Sequence, residues 1–228
     1  MMLAVNQPYF FPFPGFFYKA HLSDVFVILD SVQFPRGTTW ITRNRFKNNQ
    51  GTLWMTVPVK KKGLGLQNIN DVRICDHDRW GKKHLQSIKS AYSKAPYYKD
   101  HMPFVENLYA SKFESLIDLN LAIIRYLSKR LQIHTPMKLL SELHIHARGD
   151  HLLVEICKTL GASTLLTQSA ATKYLDEDVF TAEGISLKAF KPLPLIYPQL
   201  WGDFIPNLST LDLMFNCGPK AHEMVTAK

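Results

Sequence analysis

Cysteine is scarce in this chain of 228 residues: only Cys75, Cys157 and Cys217 occur, far apart and with no C-x-x-C pair. That excludes a disulfide framework and a zinc knuckle, and it fits a reducing compartment. No apolar run approaches the ~18 residues of a membrane-spanning helix, and residues 1–5 are too short and too weakly flanked for a signal peptide. A cytoplasmic protein without an integral membrane segment is expected. The phosphate-binding G-x-x-x-x-G-K-[ST] and the dinucleotide fingerprint G-x-G-x-x-G are both missing. No serine sits in a G-x-S-x-G elbow, which argues against a covalent hydrolase. Acidic residues are also short: 19 Asp plus Glu stand against 27 Lys plus Arg, a formal charge of +8. The imbalance favours anionic partners such as nucleotide sugars, phosphorylated glycolipid head groups or nucleic acid.

What is present points to an α/β fold. Met1-Met2-Leu3-Ala4-Val5 suits a buried first strand. Gln7-Pro8-Tyr9-Phe10-Phe11-Pro12-Phe13-Pro14-Gly15 follows, and its three prolines forbid a continued central strand. The chain must leave the sheet near Asn6 in a stiff, aromatic-walled loop. Gly15 is expected to turn it into a helix from Phe16. Residues 24–30 read as a second buried strand ending in Asp30. Residues 41–46 and 52–59 flank Lys47-Asn48-Asn49-Gln50-Gly51 as a hairpin, and residues 72–74 suit a further short strand.

From Asp78 the pattern turns helical, with Trp80, Leu85, Ile88 and Tyr92 on one broad face until Pro96. Residues 115–131 form the clearest helix, opened by Ser115 and Asp118 in a capping-box-like start. Asp150 is placed to cap another helix that Gly161 ends, and a strand at 164–166 follows. Residues 186–190 read as one more strand, and Ser209 caps a last amphipathic helix. The expected fold is one α/β domain over 1–228 with a mixed, mostly parallel sheet, a β-hairpin and a helical insertion at about residues 77–135.

Open α/β sheets place ligands at the carboxyl ends of their strands. Gln7 and Tyr9 flank the first such loop and offer an amide and a hydroxyl, although a packed tyrosine is the plainer reading. Arg43 and Arg45 project from one face if residues 41–46 are extended, because side chains alternate with period two. Two guanidinium forks can grip a pyrophosphate or carboxylate, with Arg36, Gln33 and Asn44 nearby and Trp40 as a stacking plane. A solvated strand face is the alternative. Asp30, at the end of a buried strand, is the candidate catalytic carboxylate, orienting or deprotonating an amine; the alternative is a turn cap. His144, His146 and His151 lack the spacing of a known metal site, so no metal is expected. Asn207, Ser209, Asp212 and Asn216 are each explained by helix capping.

Taken together, Gln7-Pro8-Tyr9-Phe10, Gly15, Asp30, Gln33 and Trp40-Ile41-Thr42-Arg43-Asn44-Arg45 resemble the WbqC-like family of bacterial surface-polysaccharide gene clusters. The resemblance continues through Lys158-Thr159-Leu160-Gly161-Ala162, Tyr174-Leu175-Asp176 and Tyr197-Pro198-Gln199. It ends in Phe204-Ile205-Pro206-Asn207-Leu208-Ser209, Asp212-Leu213 and Phe215-Asn216-Cys217-Gly218. Between Gly-Ala and Tyr-Leu the family usually carries a glycine, where this chain reads Leu166-Thr167-Gln168-Ser169-Ala170-Ala171-Thr172-Lys173. The resemblance implies a role in O-antigen or related glycan assembly, with glycine or another amino acid transferred to an amino sugar, and it gives Asp212 and Asn216 an alternative to capping, in which they face the cleft. The acyl donor would be activated through ATP or carried as an aminoacyl-tRNA. A non-catalytic module that binds a nucleotide sugar or tRNA is the alternative, and an enzyme related to adenylyl-transferring folds a further one. The latter would lack both histidines of their His-x-Gly-His turn, since the corresponding residues are Phe13-Pro14-Gly15-Phe16.

Overall fold

Along three neighbouring strands Ala4, Phe26 and Leu166 bury one way while Leu3, Val27 and Leu165 bury the other. This period-two division marks a sheet covered on both faces. The computed structural model describes residues 1–75, 79–192 and 195–227. Its strands are β1 (Met2–Asn6), β2 (Val25–Ile28), β3 (Arg43–Asn48), β4 (Gly51–Thr56), β5 (Met137–Leu139), β6 (Thr164–Gln168) and β7 (Ser186–Phe190). Five of them form one sheet in the order β5-β2-β1-β6-β7, every pair parallel. The antiparallel β3–β4 hairpin stands apart as its own two-stranded sheet. The α/β class, the mostly parallel sheet and the hairpin are as expected from the sequence.

Nine helices accompany the strands: α1 (Pro14–His21), α2 (Trp80–Tyr92), α3 (Tyr98–Ala110), α4 (Leu116–Arg130), α5 (Gly149–Leu160), α6 (Ser169–Thr172), α7 (Glu177–Thr181), α8 (Thr210–Cys217) and α9 (Lys220–Thr226), counted among the described residues. Helix α1 joins β1 to β2 and packs Phe16, Phe17 and Ala20 on the face of Ala4 and Phe26. Helix α5 carries the chain from β5 to β6, in the opposite direction along the sheet. It buries Ile156 and Cys157 on the other face. A change of direction with a change of face is what one hand of crossover requires. Strand order therefore reverses at β1 and β6.

Helices α2–α4 fill the interval expected to be helical, and Ile88, Leu116 and Leu127 share one core with the sheet. Asp78, where that pattern was expected to begin, lies outside the described residues. Several local expectations change. Gly15 sits inside the first turn of α1, behind Pro14 at the helix start, and is not the turn itself. Residues 72–74 make only isolated bridges, Val59 with Ile74 and Arg73 with Ser115. Ser115 does precede α4, but its side chain makes no capping bond. Arg148, not Asp150, precedes α5, and the Asp150 carboxylate instead accepts from the Asp176 N–H at 2.8 Å. Gly161 ends α5 in the left-handed conformation, φ +69°, as expected. Ser209 caps α8 through the Leu211 N–H, with α9 beyond it.

Candidate functional site

The proline-rich loop after β1 has carbonyls to satisfy and few amides with which to pair. Two asparagines supply the donors. Asn44 Nδ2, on β3, donates to Phe10 O at 3.0 Å and Phe11 O at 2.7 Å. Asn120 Nδ2, on α4, donates to Pro8 O and Ile41 O, both at 2.8 Å. Backbone bonds from Phe10 N to Trp40 O and from Thr210 N to Pro12 O complete the clamp. Phe11 is held at φ +43°, a rare conformation for a bulky residue. Its ring is fully buried against Phe10 and Phe46.

This loop forms one wall of a cavity of about 300 Å³ at the carboxyl ends of β1 and β6, where strand order reverses. Tyr9, Phe13, Trp40 and Pro192 give it apolar walls, and Asn44, Arg45, Gln168 and Asn207 give it polar groups. Gly15 shapes it from behind, because a Cβ there would lie 2.8 Å from Pro192 and inside contact distance of the Phe13 ring. The Tyr9 hydroxyl meets the Asn6 side chain, and burial raises its pKa above the usual tyrosine value. Arg45 Nη2 donates to Pro206 O and Asn207 O at 3.0 Å each, while its buried Nε–H has no partner. Asn207 itself has φ +55°. Left-handed residues, Asn207 in the lining and Phe11 buried in the loop that forms one wall, are the kind found where structure is held for a ligand.

The remaining expected residues separate. Arg43 lies over the Trp54 ring, 3.7 Å from its centroid. Among the described residues no acceptor reaches that guanidinium. Arg36 is exposed and Gln7 half-buried, and neither lines the cavity. Gln33 lines a different, larger cavity of about 560 Å³, shared with Gln67, His146 and Arg148. Asp30 is buried, and both carboxylate oxygens are taken by Ser141, from its N–H at 2.9 Å and its hydroxyl at 2.6 Å. That arrangement ties the end of β2 to the short 3-10 helix Leu140–Leu143 and lends no support to a proton-accepting role.

Several residues at the site were not singled out from sequence. Lys19 on α1 is buried, and its amine donates to Val5 O at 2.7 Å, just beyond the Ala4–Leu166 end of the β1–β6 register. Burial lowers its pKa to about 8. Its one sequence signal is a cation within Phe16-Phe17-Tyr18-Lys19-Ala20. Asn120 carries a similar signal, a lone amide on the apolar stripe of Leu116, Ile123 and Leu127. Gln168 lies in the segment where this chain departs from the family pattern.

Asp212 and Asn216 do not face the cavity. Asp212 is buried and accepts from Tyr92 (2.6 Å), Tyr197 (2.7 Å) and Asn216. Burial raises its pKa despite those bonds. The cluster fastens α8 to α2 and to the segment before it. Among the described residues no three His, Cys, Asp or Glu side chains converge as metal ligands would.

No solved structure matches the chain. A relative from Mycobacterium tuberculosis, named Uncharacterized protein Rv1507c, is 30% identical over 221 residues, which is 96% of this chain and 95% of that protein. The WbqC-like protein family matches residues 7–224, from the proline-rich loop into α9, and the chain belongs to that family.

Proposed function

We propose that the crevice between the ends of β1 and β6 takes a nucleotide-linked amino sugar, to whose amine the protein joins an amino acid, glycine foremost, for surface-glycan assembly. The observation that carries this reading is the cavity lining. Flat apolar walls from Tyr9, Trp40 and Pro192 face an arginine and three amide side chains, which suits a ring-bearing ligand with an anionic group. Arg45 is held in place by two carbonyls and keeps an unpartnered buried donor for that group.

A free carboxylate is a poor electrophile, so the donor must be activated as an ester to tRNA, a thioester or an adenylate. The sugar amine attacks the acyl carbon, the C–N bond forms and the C–O or C–S bond breaks. The nitrogen sheds a proton and the leaving group gains one. Among the described residues no carboxylate lines the crevice, so holding amine and acyl carbon in line is the main source of acceleration in this reading.

That same absence from the lining, with Asp30 engaged by Ser141, favours a second reading: a module that binds the sugar nucleotide and presents it to another enzyme. Purified protein incubated with a UDP- or dTDP-linked amino sugar and glycyl-tRNA separates the two. Formation of the amide decides for the transferase. Ligand binding without amide decides for the module. Arg45→Ala is expected to weaken sugar-nucleotide binding roughly tenfold or more, as loss of a charge-assisted contact does. Unchanged affinity in a folded Arg45→Ala protein removes both readings.

A further inference from the structure

Beside the crevice, the outer face of the hairpin carries exposed Trp54, which the sugar site does not account for, next to exposed Trp40 of the crevice wall. Trp40 and Trp54 are 42% and 44% exposed, with ring centroids 5.8 Å apart and planes only 30° from parallel. Arg43 stacks on Trp54 at 3.7 Å, and Arg45 lies over Trp40 at 5.9 Å. Strand register explains the grouping: Arg45 stands opposite Trp54 and Arg43 opposite Thr56, so all point to one face. Arg43 is fixed by an indole, yet its donors meet no acceptor among the described residues. Exposed Lys61 lies over the Phe34 ring and reaches the Arg36 carbonyl, which sets further positive charge along the adjoining loop.

We propose that this face binds an unpaired RNA end, with bases stacking on Trp40 and Trp54 and phosphates taken by Arg43 and its basic neighbours. Aromatic planes interleaved with guanidinium groups are how proteins hold single strands with little regard to sequence. Charge complementarity selects this occupant over a neutral glycan, since Arg43 already covers part of an indole and the chain carries a formal charge of +8. Trp40 and Arg45 belong to both the face and the crevice.

The inference rests on the transferase reading for its purpose: it makes the acyl donor an aminoacyl-tRNA, whose terminal ester would be delivered to the crevice mouth. The sugar amine then displaces the terminal ribose oxygen from the acyl carbon. The proton lost by nitrogen passes to that oxygen, which leaves as a hydroxyl.

The test is fluorescence anisotropy with a labelled single-stranded RNA of about 12 nucleotides ending in CCA, compared with the same sequence in a blunt duplex. The single strand is expected to bind more tightly, and Trp54→Ala to lose about tenfold or more of that affinity. Trp54→Phe, which keeps a stacking plane, is expected to retain most of it. Equal binding of Trp54→Ala and wild type, or equal binding of duplex and single strand, overturns the proposal. So does a Trp54→Ala effect confined to the molecular mass by light scattering, which would make the face a contact between two copies. The sugar site is read separately, by thermal shift with a UDP-linked amino sugar. A sugar-nucleotide shift in the wild-type protein, with no binding of the single-stranded RNA by that same protein, defeats this inference alone. RNA binding without any sugar-nucleotide shift defeats the crevice reading instead.

Discussion

Arg43 and Arg45 are two positions apart on one strand, and their surroundings differ at every contact. Period-two alternation put them on a common face from the sequence alone. It could not show that the segment at 206–207 folds back to fix Arg45, because that contact joins residues distant along the chain, or that Trp54 captures Arg43, because that depends on the register of the hairpin. Asp30 shows the same limit in reverse. A carboxylate ending a buried strand looked catalytic until Ser141, 111 residues on, was seen to occupy it. His84 carries a prediction at this scale. It is buried beside Phe10, Trp80 and Tyr109, and burial lowers its pKa from 6.5 to about 4. Because the folded value is the lower one, its contribution to stability is fully present above pH 6.5 and lost as pH falls toward 4. His84→Phe should reduce the pH dependence of unfolding in that window by up to about 1.4 kcal/mol per pH unit, read from urea midpoints. An unchanged slope would mean that His84 does not stay neutral in the fold.

At the scale of elements, the proline-rich loop is the part that the sequence described best and explained least. Its departure from the sheet near Asn6 followed from three missing amide donors. Of the clamps that fix its path, Asn44 reads from the sequence as a ligand contact beside the arginines, whereas its amide is spent on backbone groups, and Asn120 shows only as a polar residue on an otherwise buried face. Asn44→Ala should leave the Phe10 and Phe11 carbonyls buried without their donor. The expected loss is about 2–4 kcal/mol of unfolding free energy, measured by denaturant titration. A loss well under 1 kcal/mol would mean that the loop is held by ring packing alone. Regular elements with strong periodicity were legible: β7 spans residues 186–190 as expected, and α5 ends at Gly161. Helix α3 was not, because Pro103 lies inside it and breaks the usual helical pattern. Strand β5 was not either, since three residues containing Lys138 give alternation too little length to register.

For the molecule as a whole, the two-faced burial of β1, β2 and β6 creates the crevice, since strand order reverses where the β1–β6 ladder stops. Lys19 sets a buried amine on the Val5 carbonyl near the end of β1. Its pKa falls to about 8 when folded against 10.5 in the open chain, so between those values the unfolded state binds more protons and stability rises with pH. Lys19→Met should remove that rise. The wild-type and variant unfolding curves are best compared from about pH 8 to about pH 9, before tyrosines ionise in the unfolded chain. Parallel changes in both proteins would refute a titrating Lys19. The central claim, that the crevice is the sugar-nucleotide site, is tested most directly by a crystal structure of the protein soaked with a UDP-linked amino sugar. The expected result is ligand density packed on Tyr9 and Trp40 with its anionic group at Arg45. Density confined to the larger cavity beside Gln33, His146 and Arg148, with the crevice empty, would contradict it.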